Sequence, residues 1–211
     1  MKLAFRSLVT CSVVMLLLGA GATAHAEETS FTGASLALGL GSARNQVDYG
    51  GDLAGQTSKE TDTVGILDAS YGINLAPQWL VTLGATYDLN KTDFGTVSYV
   101  DGGNTYSVDG QLKNHFSFYV APGYRLSPNW LVYAKLGWHH AKGEFNDNSQ
   151  LGSGETTHNG VGYGLGTSIV LTKQIEARLE VQHIDFNRES ALQSDGKPET
   201  NQAVVYLGYR F

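Results

Sequence analysis

The sequence predicts an all-β protein: an eight-stranded antiparallel transmembrane β-barrel of the outer-membrane type, with short periplasmic turns and four long extracellular loops. Three observations support this prediction. Segments of about ten residues alternate apolar with small or polar side chains at a period of two, as tilted membrane-crossing strands do. Short turns alternate along the chain with long polar loops. Beyond residue 26, no run of 18 apolar residues is present that could form a transmembrane helix.

Residues 1–26 have the three-part organisation of a secretory signal peptide. Lys2 and Arg6 form a basic start, residues 8–18 are apolar, and an A-x-A cleavage motif ends at Ala26. The apolar run is too short to cross a bilayer as a helix, although an N-terminal anchor remains the alternative. We therefore expect cleavage after Ala26.

The remaining 185 residues, 27–211, are enough for one domain, which we expect to be the barrel. Both charges of the signal segment are basic, so the net charge changes from −6 to −8 on cleavage. A nucleic acid is an improbable partner for such a chain. The single cysteine, Cys11, lies at the front of the apolar run rather than after it. The sequence therefore predicts no lipid-attached cysteine, no disulfide and no cysteine-ligated metal, and we expect no cofactor.

Eight segments show the period-two alternation. In chain order they are residues 32–40, 63–75, 79–89, 115–126, 130–142, 162–171, 175–182 and 202–211. Their apolar faces would contact lipid, while the opposite faces are rich in Gly and Ser, which suit the narrow interior of a small barrel. Pro122 predicts a local irregularity in the fourth segment. A secreted β-sandwich or a lipocalin-like barrel is the alternative, because soluble sheets alternate too.

Two kinds of connection join these segments. Three short ones nearly repeat each other, at residues 75–79, 126–130 and 171–175, with intervals of 51 and 45 residues. Four long polar ones cover residues 44–60, 90–112, 143–158 and 187–200, with net charges of −1, −2, −3 and −1. Short turns on the periplasmic side and long loops outside are typical of outer-membrane barrels. Residues 94–106 alternate enough to predict a hairpin that extends the barrel above the membrane.

Aromatic residues gather at two levels, as expected at the two membrane interfaces. Near the turns these are Tyr71, Trp79, Tyr124, Trp130, Tyr209 and Phe211. Near the loops they are Tyr87, Phe116, Trp138 and Tyr163.

Charged residues of both signs fall on the inward face. They are Asp68, Asp88, Arg125, Lys135, Glu176, Arg178, Glu180 and Arg210. Because an isolated buried charge is costly, we expect a paired, plugged interior in which Glu176, Arg178 and Glu180 pair with Arg125, Lys135 and Arg210. A narrow conducting pore is the alternative.

Two blocks of sequence resemble a known family. Ala121-Pro122-Gly123-Tyr124-Arg125-Leu126, followed by a turn and Trp130, is similar to the middle of the small OmpX/Ail and opacity-type barrels. The ending Val205-Tyr206-Leu207-Gly208-Tyr209-Arg210-Phe211 is similar to theirs as well. Within it, Leu207, Tyr209 and Phe211 resemble the C-terminal signal by which the outer-membrane assembly machinery recognises its clients. The resemblance implies an integral protein of the outer membrane of a Gram-negative bacterium, and it specifies no activity.

Enzyme and metal-site hypotheses are weaker. His115-Phe116-Ser117 superficially resembles the His-x-Ser motif of the lipid A deacylases, but no Asp or Glu lies on this segment to orient the histidine. Both side chains would also face the interior, away from a lipid substrate. His139 and His140 are adjacent, so they point to opposite faces and cannot chelate a metal together. We therefore expect no catalytic activity and no metal site.

The long loops are the better candidates for function, since binding residues concentrate in loops held by a rigid scaffold. The sequence predicts a structural or surface-interaction role of the adhesion, serum-resistance or envelope-integrity type. The alternatives are a narrow passive pore and, more remotely, a lipid A-modifying enzyme. Expected partners are outer-membrane lipid, lipopolysaccharide phosphates bridged by cations, the assembly machinery during biogenesis, and a host or cell-surface protein bound by the loops.

Overall fold

A computed structural model describes residues 30–51, 55–101, 103–147, 153–191 and 194–211. The predicted signal peptide and its cleavage site lie outside the described residues. The described residues form ten strands: β1 (Gly33–Gly51), β2 (Thr57–Asn74), β3 (Trp79–Asp88), β4 (Thr92–Asp101), β5 (Asn104–Ser127), β6 (Trp130–Asp147), β7 (Ser153–Val170), β8 (Ile175–Phe186), β9 (Glu189–Ala191) and β10 (Ser194–Arg210). No helix in this part of the chain is long and apolar enough to cross a membrane.

Eight of these strands close into a ring in the order β1-β2-β3-β5-β6-β7-β8-β10, and β10 pairs back onto β1. The closing ladder is antiparallel and runs from Ser35 opposite Arg210 to Gly51 opposite Ser194. β4 pairs only with β5, and the short β9 pairs with β10. The predicted eight-stranded antiparallel barrel is therefore confirmed.

Seven of the eight ring strands are longer than the predicted segments, and only β3 is not. β6, for example, continues for five residues past the predicted end at residue 142, to Asp147. Much of each predicted loop is therefore strand, and β4 and β5 form a hairpin in which Asp101 lies opposite Asn104. The hairpin at residues 94–106 was predicted from the sequence, but the other extensions were not, because their outward side chains are polar, like those of loops. The ring thus continues above the membrane as a water-facing wall.

Alternation along each strand separates a lipid-facing surface from the interior. On β1, Leu36, Leu38 and Leu40 are exposed, whereas Ser35 and Ala37 between them are buried. The same pattern recurs around the ring and produces a continuous apolar belt. The ladder between β5 and β6 lacks pairs at Ala121 and Pro122 but keeps its register across them. The predicted irregularity at Pro122 is therefore limited to missing pairs.

Candidate functional site

The centre of the interior, at membrane depth, contains a network of buried ion pairs. The Arg178 guanidinium lies 2.7 Å from Asp68 Oδ1 and 3.7 Å from Glu176 Oε1. Tyr119 donates a 2.8 Å hydrogen bond to the other oxygen of Asp68. Arg178 also lies 4.8 Å from the centre of the Tyr206 ring, a cation–π distance. Each charge in this group therefore has an oppositely charged neighbour.

A second pair completes the network. Lys135 Nζ lies 2.7 Å from Glu180 Oε1, and Tyr133 donates a 3.2 Å hydrogen bond to the same carboxylate. Arg210 lies 2.5 Å from Glu176 Oε2. The structure thus contains two of the expected pairs, Lys135 with Glu180 and Arg210 with Glu176. Arg178, however, is paired with Asp68.

Two interior tyrosines fit only because the facing strand position is glycine. A Cβ at Gly84 would collide with the Tyr119 ring, and a Cβ at Gly166 would collide with the Tyr133 ring. The small residues of the inward faces therefore make room for bulky side chains that fill the interior.

Arg125 is not part of the ion-pair network, and its expected pairing with a glutamate is wrong. Its guanidinium donates hydrogen bonds to the backbone oxygen of Ser30 at 2.9 and 3.2 Å, to the backbone oxygen of Pro77 at 3.1 Å, and to the Asn74 side chain. Sequence reasoning matched side chains by charge and could not foresee backbone partners. Arg125 therefore fixes the start of the described chain at the periplasmic mouth.

The side chain of Phe31 closes the periplasmic mouth from within. It is 2% exposed and packs into a cluster with Leu80, Leu131 and Val170. Its φ of 71° lies in the left-handed region, which a bulky residue adopts only when its surroundings hold it there. Gly72 is required opposite it, because a Cβ there would collide with the Phe31 carbonyl oxygen.

The mouth below Phe31 is an open cleft of about 630 Å³ that ends at this cluster. Between Phe31 and the ion pairs lies a cavity of only about 20 Å³. Such a volume holds about one water molecule, so the cavity is not a passage.

A chain of hydrogen bonds crosses the interior above the ion pairs. His115 Nδ1 lies 2.7 Å from Asp88 Oδ2, and His115 Nε2 lies 2.9 Å from His139 Nδ1. His139 Nε2 lies 2.9 Å from Gln182 Nε2, and Gln202 donates a 3.1 Å bond to Gln182 Oε1. A carboxylate can only accept a hydrogen bond, so Asp88 accepts from His115. With one proton on each histidine ring, every bond of the chain then has its donor on the Gln202 side and its acceptor on the Asp88 side. Sequence reasoning placed Asp88 and His115 inside but missed this chain.

This arrangement also bears on the His-x-Ser motif. A carboxylate does reach His115, from the neighbouring strand β3, which the sequence analysis did not foresee. Ser117, however, lies 2.6 Å from Thr86 Oγ1 and is 0% exposed. The histidine and the serine therefore have separate partners, and both lie inside the barrel.

An apolar core fills the interior where the wall rises above the membrane. Its buried members are Val47, Tyr49, Phe94, Val97, Leu112, Ala141, Ile184 and Phe186. Phe94 and Val97 come from β4. The Phe186 ring lies edge-on to His115, with 5.9 Å between ring centres, so the core sits directly on the histidine chain.

A β-bulge in β5 marks the base of this core. Lys113 pairs with Lys142 and Phe116 with His140, so β5 has one more residue between these pairs than β6 has. Asn114 takes up the extra residue at a φ of 52°. The extra residue exchanges the two faces of the strand. Leu112 therefore points into the apolar core, and Lys113 lies on the outer wall.

Ion pairs cover the outer wall beside this bulge. Lys113 Nζ lies 2.6 Å from Glu155 and 3.3 Å from Glu144, and Lys91 lies 3.3 Å from Glu144. Hydrogen bonding to Glu155 and then Glu144 raises the pKa of Lys113. Hydrogen bonding to Lys113 lowers the pKa of Glu155, and hydrogen bonding to Lys91 and Lys113 lowers that of Glu144.

The aromatic residues predicted for the membrane interfaces lie on the outer surface. Trp79 and Tyr124 are in edge contact at 4.9 Å, and Trp130 donates a 2.7 Å hydrogen bond to Thr167. The exposed members of the predicted set are Tyr71, Trp79, Tyr87, Trp130, Trp138, Tyr163, Tyr209 and Phe211. Leu207 is exposed beside them, and recognition of this ending by the assembly machinery stays a prediction.

Comparison with known proteins agrees with this architecture. A sequence model described as the outer membrane protein β-barrel domain matches residues 13–211. The chain belongs to this family. It is therefore an integral protein of the Gram-negative outer membrane, with a surface or channel role.

No curated protein sequence matches the chain. Among solved structures, it is similar to Ail, the attachment invasion locus protein of Yersinia pestis, in complex with the heparin analogue sucrose octasulfate. The identity is 16%, the TM-score is 0.48, and the match covers 85% of this chain and 100% of the other. Neisserial surface protein A is 15% identical, with a TM-score of 0.45 and coverage of 85% and 99%. OprG of Pseudomonas aeruginosa is 16% identical, with a TM-score of 0.43 and coverage of 85% and 97%.

Proposed function

We propose that this protein is a non-conducting scaffold whose role is contact at the cell surface, made by its extracellular wall and acidic loops. The observation that supports this most is the filling of the interior at every level. Phe31 blocks the periplasmic mouth, ion pairs and the histidine chain fill the membrane-depth section, and the apolar core fills the section above. Eight strands enclose a space that side chains alone can fill, so no ion path is needed to explain this architecture.

The surface outside the membrane is acidic. The four connections have net charges of −1, −2, −3 and −1, which make up −7 of the −8 expected for the chain without its signal peptide. A surface of this sign favours partners that present basic patches or bound divalent cations. We propose no catalytic role, because the Asp88–His115 pair is enclosed and Ser117 is bonded to Thr86.

The test is single-channel conductance of the purified, refolded barrel in a planar bilayer. We expect silence from the wild type and from the paired replacement Lys135→Met/Glu180→Met, which keeps the interior filled without its charges. Folding is checked by the shift in electrophoretic mobility that a folded barrel loses on boiling. Reproducible openings in the wild type, altered by that paired replacement, would contradict the proposal and support the narrow pore.

A second measurement addresses the surface role directly. A short Gly-Ser turn in place of residues 98–107 would remove the tip of the β4–β5 hairpin and leave the apolar core intact. We expect a folded barrel with reduced binding of cells to a host-cell layer or to serum proteins. Unchanged binding after this deletion and after matched shortening of the other loops would exclude the loops as the contact surface.

A further inference from the structure

The outer wall formed by β5 and β6 has a group of aromatic rings at the upper membrane interface. Phe118 and Trp138 are stacked, with an interplanar angle of 9° and 6.3 Å between ring centres. Phe116 lies 5.9 Å from Trp138 and 4.9 Å from His140. All four side chains are on the outer face. They form one continuous aromatic surface, which we call the aromatic platform (Phe116, Phe118, Trp138 and His140).

Lysines lie immediately above the aromatic platform. Lys113 and Lys142 are directly paired across the two strands. They are the next outward-facing pair above Phe116 and His140. At about 3.3 Å per residue, this step places their backbones roughly 6 Å higher along the wall. Lys113 faces outward only because the bulge at Asn114 exchanges the faces of β5. The bulge therefore brings the ammonium group of Lys113 beside that of Lys142, at the level expected for the lipid headgroups.

The opposite wall, made of β10, β1 and β2, lacks this combination. At the same level its outward residues are aliphatic, including Leu40 and Leu67. Above them, the outward Arg44 is paired across the ladders with Asn201 and Thr61. The outward Arg44 and, one step higher, the outward Lys59 have no aromatic group directly below them, so the barrel is asymmetric at the outer interface.

We propose that the wall of β5 and β6 binds a phosphorylated glycolipid of the outer leaflet, with its acyl chains on the aromatic platform and a headgroup phosphate on Lys113 and Lys142. The groups on the wall follow the same order along the membrane normal as the parts of such a lipid, with aromatic rings at the level of the acyl chains and ammonium groups at the level of the phosphate. Aromatic rings offer apolar area at the interface, and an ammonium group is a compact charge that binds phosphate.

The charges on the wall also favour a phosphorylated ligand. Lys142 is exposed and is within 4 Å of no carboxylate in the described part of the chain, so its ammonium group is available. Lys113 is held by Glu144 and Glu155 and can exchange a carboxylate for a phosphate of higher charge. Those two glutamates would then face the headgroup, where a divalent cation can bridge carboxylate and phosphate oxygens.

This inference deepens the proposed surface role and rests on it, but its test is separate. Trp138 is the only tryptophan at the outer level, so Trp79→Phe/Trp130→Phe provides a background with one fluorescent reporter. The folded barrel in phosphatidylcholine nanodiscs is titrated with diphosphoryl lipid A and with chemically dephosphorylated lipid A. We expect a saturable change in Trp138 emission with the diphosphoryl form and at least tenfold weaker binding of the dephosphorylated form.

Matched variants identify the site. Lys113→Gln/Lys142→Gln should weaken binding of diphosphoryl lipid A at least tenfold, whereas Arg44→Gln on the opposite wall should change it less than twofold. Equal affinity of the lysine variant and the wild type, or an equal loss with Arg44→Gln, would overturn the proposal. Competition by millimolar inorganic phosphate would also overturn it, since the site would then bind free phosphate rather than a lipid headgroup. A conducting wild type would disprove the scaffold role and leave this lipid measurement unaffected.

Discussion

The interior of this barrel has opposite chemistry in its two halves. At membrane depth the inward side chains include paired charges, such as Arg178 with Asp68, beside a smaller apolar cluster that includes Ile66 and Val204. Above the membrane they are apolar, as Phe94 and Phe186 are. On β1 the change in polarity of the two faces occurs without any change in alternation. Ser35 and Tyr49 both face inward, while Leu38 and Arg44 both face outward.

This difference follows from the medium outside the wall, lipid or water, which determines whether apolar side chains are more stable on the outer or the inner face. Where lipid surrounds the wall, apolar side chains gain little by turning inward, so most of them lie on the outer face and the interior has room for paired charges. Where water surrounds the wall, apolar side chains are driven inward and a hydrophobic core forms, as in a soluble barrel. A single strand therefore reverses its polarity pattern where it leaves the bilayer.

The largest expected effect comes from breaking the charged half. Arg178→Leu would leave Asp68 buried without its ion-pair partner, and we expect a loss of about 3–5 kcal/mol in the free energy of unfolding. Equilibrium urea unfolding in lipid vesicles measures it. Asp68→Leu/Arg178→Leu is the control, because removing both partners should cost less than the sum of the two single changes. A strictly additive result would show that the two side chains do not interact.

Breaking the apolar half should have a more local effect. Phe94→Ala would open a cavity in the core, with an expected cost of about 3 kcal/mol in the stability of the wall above the membrane. Limited proteolysis should then cut the extracellular strands while the membrane part stays folded and heat-modifiable. Phe118→Ala, the same change on the lipid face, should leave the wall resistant. Equal cleavage of both variants would remove the distinction between the two halves.

The junction between the halves can be tested at the bulge. Asn114 has a positive φ, which Asn and Gly tolerate and a β-branched residue does not. We expect Asn114→Val to cost about 1–2 kcal/mol and Asn114→Gly to be close to neutral. Urea unfolding of the two variants provides the comparison. If valine were tolerated as well as glycine, the bulge would not depend on this backbone conformation.

The smallest effect concerns the ion pairs outside the wall. The pKa values of Glu144 and Glu155 are lowered, so their contribution is present above the ordinary carboxyl value of 4.5 and is lost as the pH falls through the lower folded values. The pKa of Lys113 is raised, so its contribution is lost only above 10.5. Thermal unfolding of the wild type and Glu155→Gln should differ slightly at pH 7 and converge once the pH falls below the lowered carboxyl pKa values, or in about 1 M salt. A difference that persisted at high salt would point to packing rather than charge.

Sequence alone was sufficient for the part of the barrel that lies in lipid. Alternation, turn spacing and the positions of Trp79 and Trp130 follow from local pattern, and that pattern is strongest where one face is apolar. The sequence pattern predicted a loop at residues 44–51, which are strand. A water-facing strand has the composition of a loop, and here Arg44, Gln46 and Asp48 face outward while Val47 faces inward.

The contacts inside the barrel depended on information that no local pattern contains. His115 meets His139 only in the register that β5 and β6 share below the bulge, and a shift of one residue would turn one of them outward. Arg125 binds the backbone oxygen of Ser30, 95 positions away, so its charge gave no indication of its partner. Pairing by charge sign worked where side chains meet side chains, as for Lys135 with Glu180.

Closure of the ring links the two ends of the described chain in one event. Most ladders join strands that are close in sequence, but the closing ladder joins β1 to β10. Arg210 of β10 donates a 3.1 Å hydrogen bond to the backbone oxygen of Thr32, 178 positions earlier. The same arginine binds Glu176, and the next residue donates its amide to Ala34. Before β10 pairs, an assembling chain has an open lateral edge and lacks the hydrogen bonds of Arg210 and Phe211 to the backbone of Thr32 and Ala34, next to Phe31. Pairing of β10 with β1 therefore both closes the side of the barrel and adds contacts beside the residue that fills its periplasmic mouth.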